Sequence, residues 1–287
     1  MLVATDLDGT LLRSDGTVSG ATRRLLAAVK EVGVPVVIVT ARPMRWMDDL
    51  RSLIGSHGLA IVSNGAILYD VAAGRIRSVT GLDPVDGLAL VDAILDAVPG
   101  ARFAIEVSTG IRADPAYDVP LHVPPGSPVG PLATLWDEPA AKVLVHQPDL
   151  DSEVLRDLVT SAVGDRAVTT WTEPHLMELS APGVTKAAAL ATVCAELGVP
   201  SEDVVAFGDM PNDLPMLAWS GTSYAVANAD PSVLAAADFI APSNDADGGC
   251  SGARPSGQRD GSAHVNAFSD GCRMARFRAP SDRHRAG

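Results

Sequence analysis

Apolar and polar positions follow two textures along this chain. Leu2-Val3-Ala4-Thr5 is a short apolar run that halts at Asp6-Leu7-Asp8-Gly9-Thr10. After Ser19, which can cap a helix, Leu25, Leu26 and Val29 share one helical face, and Gly33 marks the end. Residues 34–39 are continuously apolar and stop at Thr40-Ala41-Arg42-Pro43. A helix is expected over 43–54, and a third apolar strand over 59–63 closes at Asn64-Gly65. Unbroken apolar strands alternating with helices predict a parallel sheet covered on both faces. Residues 67–79 read as a hairpin turning near Ala73-Gly74.

From about Leu82 the texture changes. A helix is expected over 86–98, a half-exposed alternating strand over 102–108, and a proline- and glycine-rich loop over 115–131. Strands over 141–146, 167–172 and 176–180 accompany a helix over 152–163. That mixture predicts a smaller α+β unit with an antiparallel sheet. Ala181-Pro182-Gly183 reads as a hinge out of it, and the first texture then returns. It brings a helix over 185–197, a strand over 204–207, a helix over 211–219, a strand over 223–226, a helix over 231–237 and a strand at 239–240. One α/β domain, residues 1–81 and 183–247, is thus interrupted by an α+β insert over 82–182, a normal domain size.

Composition narrows the function classes. At 47% hydrophobic and 20% charged, the 287 residues suit a globular protein rather than a disordered one. The net charge of -13 argues against a nucleic-acid or anionic-membrane surface, though not against a phosphorylated small molecule held through a metal. No apolar run approaches the ~20 residues of a membrane span, and the first residues lack a secretory pattern. Cys194, Cys250 and Cys272 have no metal-ligand spacing, and neither have His122, His146 and His175. The expected location is cytoplasmic. Only Lys30, Lys142 and Lys186 are lysines among 22 basic residues, which singles out three positions where a point charge is kept.

The candidate chemistry lies at strand ends, where open parallel sheets bind ligands. Asp6 and Asp8 alternate along an extended chain and so share one side. Two carboxylates about 4 Å apart repel by roughly 4 kcal/mol at an effective dielectric near 20, so a cation, a shared proton or bulk water must offset them. Thr40 could cap the following helix and Asn64-Gly65 could be a plain turn. Asp209, Asn212 and Asp213 within five residues exceed what one helix cap needs. Hard oxygen donors of this kind suit magnesium. Lys186 stands in the first turn of its helix, where a cation opposes the macrodipole, and phosphate binding gives a reason for the placement.

Asp6-Leu7-Asp8-Gly9-Thr10-Leu11, Thr40 closing a strand, Lys186 opening a helix and Gly208-Asp209-Met210-Pro211-Asn212-Asp213 resemble the four motifs of the haloacid-dehalogenase-like (HAD) phosphohydrolases. The insert, Val62-Ser63-Asn64-Gly65-Ala66 and Ala225-Val226-Ala227-Asn228-Ala229 resemble the Cof-like, class IIB branch, and the resemblance spans residues 1–247. It implies a Rossmann-like parallel core with an α+β cap and a phosphatase of a small phosphorylated metabolite, a sugar phosphate or similar. Asp6 would be the nucleophile and Asp8 the acid and base. Magnesium would be held by Asp6, the Asp8 carbonyl, Asp209 and Asp213. Thr40, Lys186 and Asn212 would bind phosphate, with Arg42, Asn64 and Gly65 as possible substrate contacts, and residues 110–118 as the specificity region. A phosphomutase and a catalytically idle phosphate-binding module are the alternatives. Lys142, opening a cap strand, is expected to be structural.

The pattern departs at Gly248. Residues 248–287 hold seven arginines against three aspartates, two of the three cysteines, and no helical or strand period. They are expected to form an atypical, disordered tail in place of the final helix of the family, leaving the core partly uncovered.

Overall fold

The computed structural model describes residues 1–47, 58–119, 122–171 and 173–248. The tail beyond 248 and most of the helix expected over 43–54 lie outside the described residues; of that helix, a 3-10 turn at Met44–Trp46 is seen. The strands are Leu2–Thr5 (β1), Val36–Val39 (β2), Leu59–Val62 (β3), Ile67–Asp70 (β4), Arg75–Val79 (β5), Arg102–Val107 (β6), Gly110–Ala113 (β7), Lys142–His146 (β8), Val168–Thr170 (β9), Leu176–Ser180 (β10), Val204–Gly208 (β11), Thr222–Val226 (β12) and Phe239–Ala241 (β13). The helices are Gly20–Glu31 (α1), Pro84–Ala97 (α2), Leu132–Leu135 (α3), Ser152–Val163 (α4), Lys186–Leu197 (α5), Leu214–Trp219 (α6) and Pro231–Ala236 (α7).

Two sheets organise the chain. The first runs β13-β12-β11-β1-β2-β3-β4-β5, with its first six strands parallel and the hairpin β4–β5 antiparallel at one edge. The second, β7-β6-β8-β10-β9, is antiparallel. The fold is α/β, a Rossmann-like core with an inserted α+β cap. β1 sits centrally, between β2 and β11, because β11 returns from the far side of the insert to pair with it. Their carboxyl ends therefore meet, and β1, β2, β3 and β11 carry the polar residues of the sequence motifs to one edge.

Local chemistry explains the boundaries. Ser19 Oγ accepts the Thr22 amide at 3.0 Å to start α1, and Thr185 Oγ1 accepts that of Ala188 at 3.1 Å to start α5. Gly198, at φ +66°, ends α5 in the left-handed conformation that glycine adopts without strain. Leu2, Ala4, Val37, Ile61, Leu190, Val204 and Leu217 pack on one face of the parallel sheet. On the other face a single apolar cluster continues from Leu7, Ile38 and Ile67 through Leu82 into Leu90, Ile105 and Met177 of the insert.

Two expectations need correction. Residues 102–107 are not half-exposed: Phe103 to Val107 are all buried, Glu106 included. Glu106 tolerates burial because the guanidinium of Arg45, from the loop after β2, pairs with it. Sequence patterning also gave no sign of β7 and α3; residues 110–113 form an edge strand. The structural role expected of Lys142 is seen. Its Nζ reaches across to the Ala41 carbonyl at 2.8 Å while pairing with Glu178 at 2.8 Å, so it ties the two units together.

Candidate active site

At the end of β1 the chain stops being a strand. Leu7–Leu11 form a wide turn in which the Leu12 amide returns to the Leu7 carbonyl at 2.8 Å, with Gly9 at φ +76°. This separates the two acids that alternation places together. Asp6 is 5% exposed and points inward, whereas the Asp8 side chain is 55% exposed. The carboxylates that accompany Asp6 are those of Asp209 and Asp213, with one oxygen of each within 4.8 Å of the others. The pairwise repulsion expected between Asp6 and Asp8 thus falls on a different set of acids.

Lys186 offsets much of that repulsion. Its Nζ donates to Asp6 Oδ1 at 2.7 Å and to Asp213 Oδ1 at 2.6 Å, in a site where the lysine is 2% exposed. The other Asp213 oxygen, Oδ2, accepts the amides of Asp209 and Met210 at 3.0 and 3.1 Å, which fixes the turn after β11. Asp209 Oδ1 accepts the hydroxyl of Thr10 at 2.7 Å. Gly9 is needed where it stands, because a Cβ there would lie 2.3 Å from Asp209 Oδ2.

Electrostatics follow from this enclosure. Burial pushes the Asp6 carboxyl well above the usual range, against the lowering pull of Lys186, and Asp213 and Asp209 add to the rise. Burial likewise raises Asp209 to about 6, although the Thr10 hydroxyl bond opposes it. Burial alone would lower the Lys186 ammonium, but Asp213 and Asp6 reverse the effect and hold it above the ordinary lysine range.

The remaining expected residues fall on two sides. Thr40, 1% exposed, accepts the Arg42 amide on Oγ1 at 3.0 Å, and the Arg42 guanidinium grips the Asp8 carboxylate. Asn64, at φ +58°, donates through Nδ2 to Glu178 Oε2 at 2.9 Å and accepts from Asn212 Nδ2 at 3.1 Å on Oδ1. Gly65 lies against the start of α5, where a Cβ would be 2.4 Å from the Thr185 carbonyl oxygen; its place is set by packing. Thr10 and Glu178 were missed from sequence. Thr10 had a signal, being part of the first motif, and Glu178 was an acid flanked by apolar residues in its strand.

The arrangement is a set of hard oxygen donors around a buried ammonium at the carboxyl edge of a parallel sheet. The family model described as haloacid dehalogenase-like hydrolase matches residues 3–120 and 121–250, and the chain belongs to that family. It is 30% identical over 259 residues to the 5-amino-6-(5-phospho-D-ribitylamino)uracil phosphatase YitU of Bacillus subtilis (strain 168), covering 86% of this chain and 94% of that one. It is 27% identical over 238 residues to the phosphoglycolate phosphatase of Methanothermobacter thermautotrophicus, covering 83% and 90%. Among solved structures, BT1666 of Bacteroides thetaiotaomicron aligns with a TM-score of 0.74 at 21% identity, over 86% of this chain and 91% of that one. The HAD subclass IIB sugar phosphatase BT4131 aligns with a TM-score of 0.70 at 21% identity, over 86% and 95%. These two likenesses speak for the fold. No helix among the described residues is long and apolar enough to cross a membrane.

Proposed function

We propose that this chain is a magnesium-dependent phosphatase acting in the cytoplasm on a small phosphorylated metabolite, a sugar phosphate or similar, through an aspartyl-phosphate on Asp6. The observation that carries the reading is the buried cluster of Asp6, Asp209 and Asp213 around the Lys186 ammonium. The names of the two phosphatase relatives support a phosphorylated small-molecule substrate.

The residues present fit magnesium. Their donors are carboxylate and carbonyl oxygens, the hard ligands that ion takes. Asp209 is held against Gly9 in a cradle that a side chain would fill. Asp6, Asp209 and Asp213 would hold the ion together with the Asp8 carbonyl. Bound there, it would shield the nucleophile from the phosphate charge and stabilise negative charge in the transition state.

The chain's own groups divide the remaining work. A carboxylate oxygen of Asp6 attacks phosphorus while the bond to the leaving oxygen breaks, and Asp8 delivers a proton to that oxygen. Water then attacks the same phosphorus, Asp8 takes its proton, and the bond to Asp6 breaks to release phosphate. Lys186 spends two N–H groups on carboxylates and has a third for a phosphoryl oxygen. The Thr40 hydroxyl and the second N–H of Asn212 Nδ2 would take the others. Residues 1–81 and 183–247 act as the catalytic unit and 82–182 as the cap that keeps water from the reaction.

Phosphate release from phenyl phosphate tests this reading, measured with magnesium and with excess chelator, for wild type and Asp6→Asn. Metal-dependent release that disappears in Asp6→Asn is expected. Release persisting in Asp6→Asn, or unaffected by chelator, would overturn it.

A further inference from the structure

Ala225-Val226-Ala227-Asn228-Ala229, singled out in the sequence, has no part in the chemistry above. Asn228 lies in the loop between β12 and α7, where its side chain bridges two other segments. Nδ2 donates to the Gly9 carbonyl at 2.8 Å, and Oδ1 accepts the Asn244 amide at 3.0 Å. The orientation is fixed, because a carbonyl can only accept and a backbone N–H can only donate. Asn244, a buried residue just after β13, adds a second bond of the same kind, from Nδ2 to the Leu12 carbonyl at 2.9 Å. Two asparagines in series therefore bond two carbonyls of the turn that carries Asp8.

That turn draws its support from outside. Asp8 (φ -81°, ψ 125°) and Gly9 (φ 76°, ψ -10°) depart from helical dihedrals in its middle. The Asp8 side chain is largely exposed, so its place follows from the backbone beneath it and from Arg42. The loop of Asn228 also meets the second acidic turn, where the Asp230 amide donates to the Asp209 carbonyl at 2.8 Å. Residues 243–247 complete a strap along the chain beyond the turn. Asp245 accepts the Ser14 amide and hydroxyl at 2.9 and 2.8 Å, and Asp247 accepts from Arg13 at 2.8 Å. One such bond adds little to stability, whereas a displacement of about 1 Å can cost about a hundredfold in rate. Bonds to the Asp8 turn therefore count most as alignment.

We infer that Asn228 and Asn244 are positioning residues for Asp8, holding its turn so that the carboxyl meets the leaving oxygen. The inference rests on the phosphatase reading, in which Asp8 moves the proton. It gives the loop after β12 and the segment after β13 a part in the reaction, although neither carries a reacting group.

The test measures kcat/KM, with magnesium, for 4-nitrophenyl phosphate and phenyl phosphate, two similar esters whose leaving oxygens differ in their need for a proton. Wild type is compared with Asp8→Asn, Asn228→Asp, Asn228→Ala and Asn244→Asp. Asn228→Asp keeps the size of the side chain and an acceptor for the Asn244 amide, and loses the donor to Gly9. Asn244→Asp loses the donor to Leu12. The ratio of 4-nitrophenyl to phenyl phosphate is expected to rise most in Asp8→Asn, by at least about fivefold in both Asn228 variants and by at least about twofold in Asn244→Asp. Phenyl phosphate turnover by the Asn228 variants is expected to fall at least about tenfold in kcat/KM. A general weakening of the fold would lower both esters alike. A ratio unmoved in all three asparagine variants, while it rises in Asp8→Asn, overturns this inference alone. Absence of magnesium-dependent turnover by wild type, or an unmoved ratio in Asp8→Asn, overturns the reading on which it rests and this inference with it.

Discussion

Arg42 clasps Asp8 with two bonds, Nε to Oδ2 at 2.8 Å and a terminal nitrogen to Oδ1 at 2.6 Å. The residue assigned to proton transfer is therefore held by a guanidinium two residues beyond Thr40, rather than by the cluster around Lys186. A phosphoryl group entering the site would compete with Asp8 for that guanidinium, because Arg binds carboxylate and phosphate through the same fork. Arg42→Ala is expected to raise KM for phenyl phosphate about tenfold, the scale of one charge-assisted bond. Steady-state kinetics check it; a loss confined to kcat would show that Arg42 serves only to orient Asp8.

Gly9→Ala should be more damaging than its position in a turn suggests. The added Cβ would fall 2.3 Å from Asp209 Oδ2 at a backbone φ of +76°. Asp209 must then move, and with it the bond from Thr10. A fall in kcat/KM of at least about a hundredfold is expected, the scale of a small misplacement at a reacting centre. Assay of the folded variant, with circular dichroism as the control, checks this. Near-wild-type activity would mean that Asp209 is not required where it stands.

These residues show what a sequence can carry. Buried parallel strands are written as continuous apolar runs, so β1, β2, β3 and β11 and their polar ends were legible. Asp6, Asp209 and Asp213 could be assembled into one site on that ground, and the family resemblance added Lys186. What escaped depends on partners distant in sequence. Glu106 is buried because Arg45 reaches it, and Lys142 matters because Ala41 and Glu178 receive its protons. The separation of Asp6 from Asp8 depends on a turn beginning one residue earlier than strand alternation assumes. Resemblance supplied the roles of the residues; their orientations came from the packed structure.

Magnesium and pH should act together on stability. Burial holds Asp209 at about 6, above the 3.8 of an ordinary aspartate, so the folded metal-free protein keeps a proton that the unfolded chain releases. Stability of the metal-free protein accordingly falls as pH rises between those values, and the cost persists above 6. A cation that replaces the proton offsets that cost, so its benefit grows with pH. The rise in Tm produced by magnesium is expected to be larger near pH 7.5 than near pH 5. Equal rises at both would contradict the linkage.

The buried pair Lys142–Glu178 offers a stability test away from the reacting atoms. Burial lowers the Lys142 ammonium, against the raising effect of Glu178. Removing only the acid, in Glu178→Gln, leaves a buried cation and is expected to cost about 3–5 kcal/mol in urea unfolding. The double variant Lys142→Met/Glu178→Met should recover much of that loss. A single variant within about 1 kcal/mol of wild type would show that the pair is open to water.

The central claim is that Asp6 carries the phosphoryl group between substrate and water. Asp8→Asn, lacking the base for the second step, is mixed with an aryl phosphate whose leaving group needs little protonation, then quenched in acid and digested. Tandem mass spectrometry of the peptide spanning residues 1–13 should find one added phosphoryl group on Asp6. A phosphoryl group on another residue, or turnover with no modified enzyme in any quenched sample, would contradict the account.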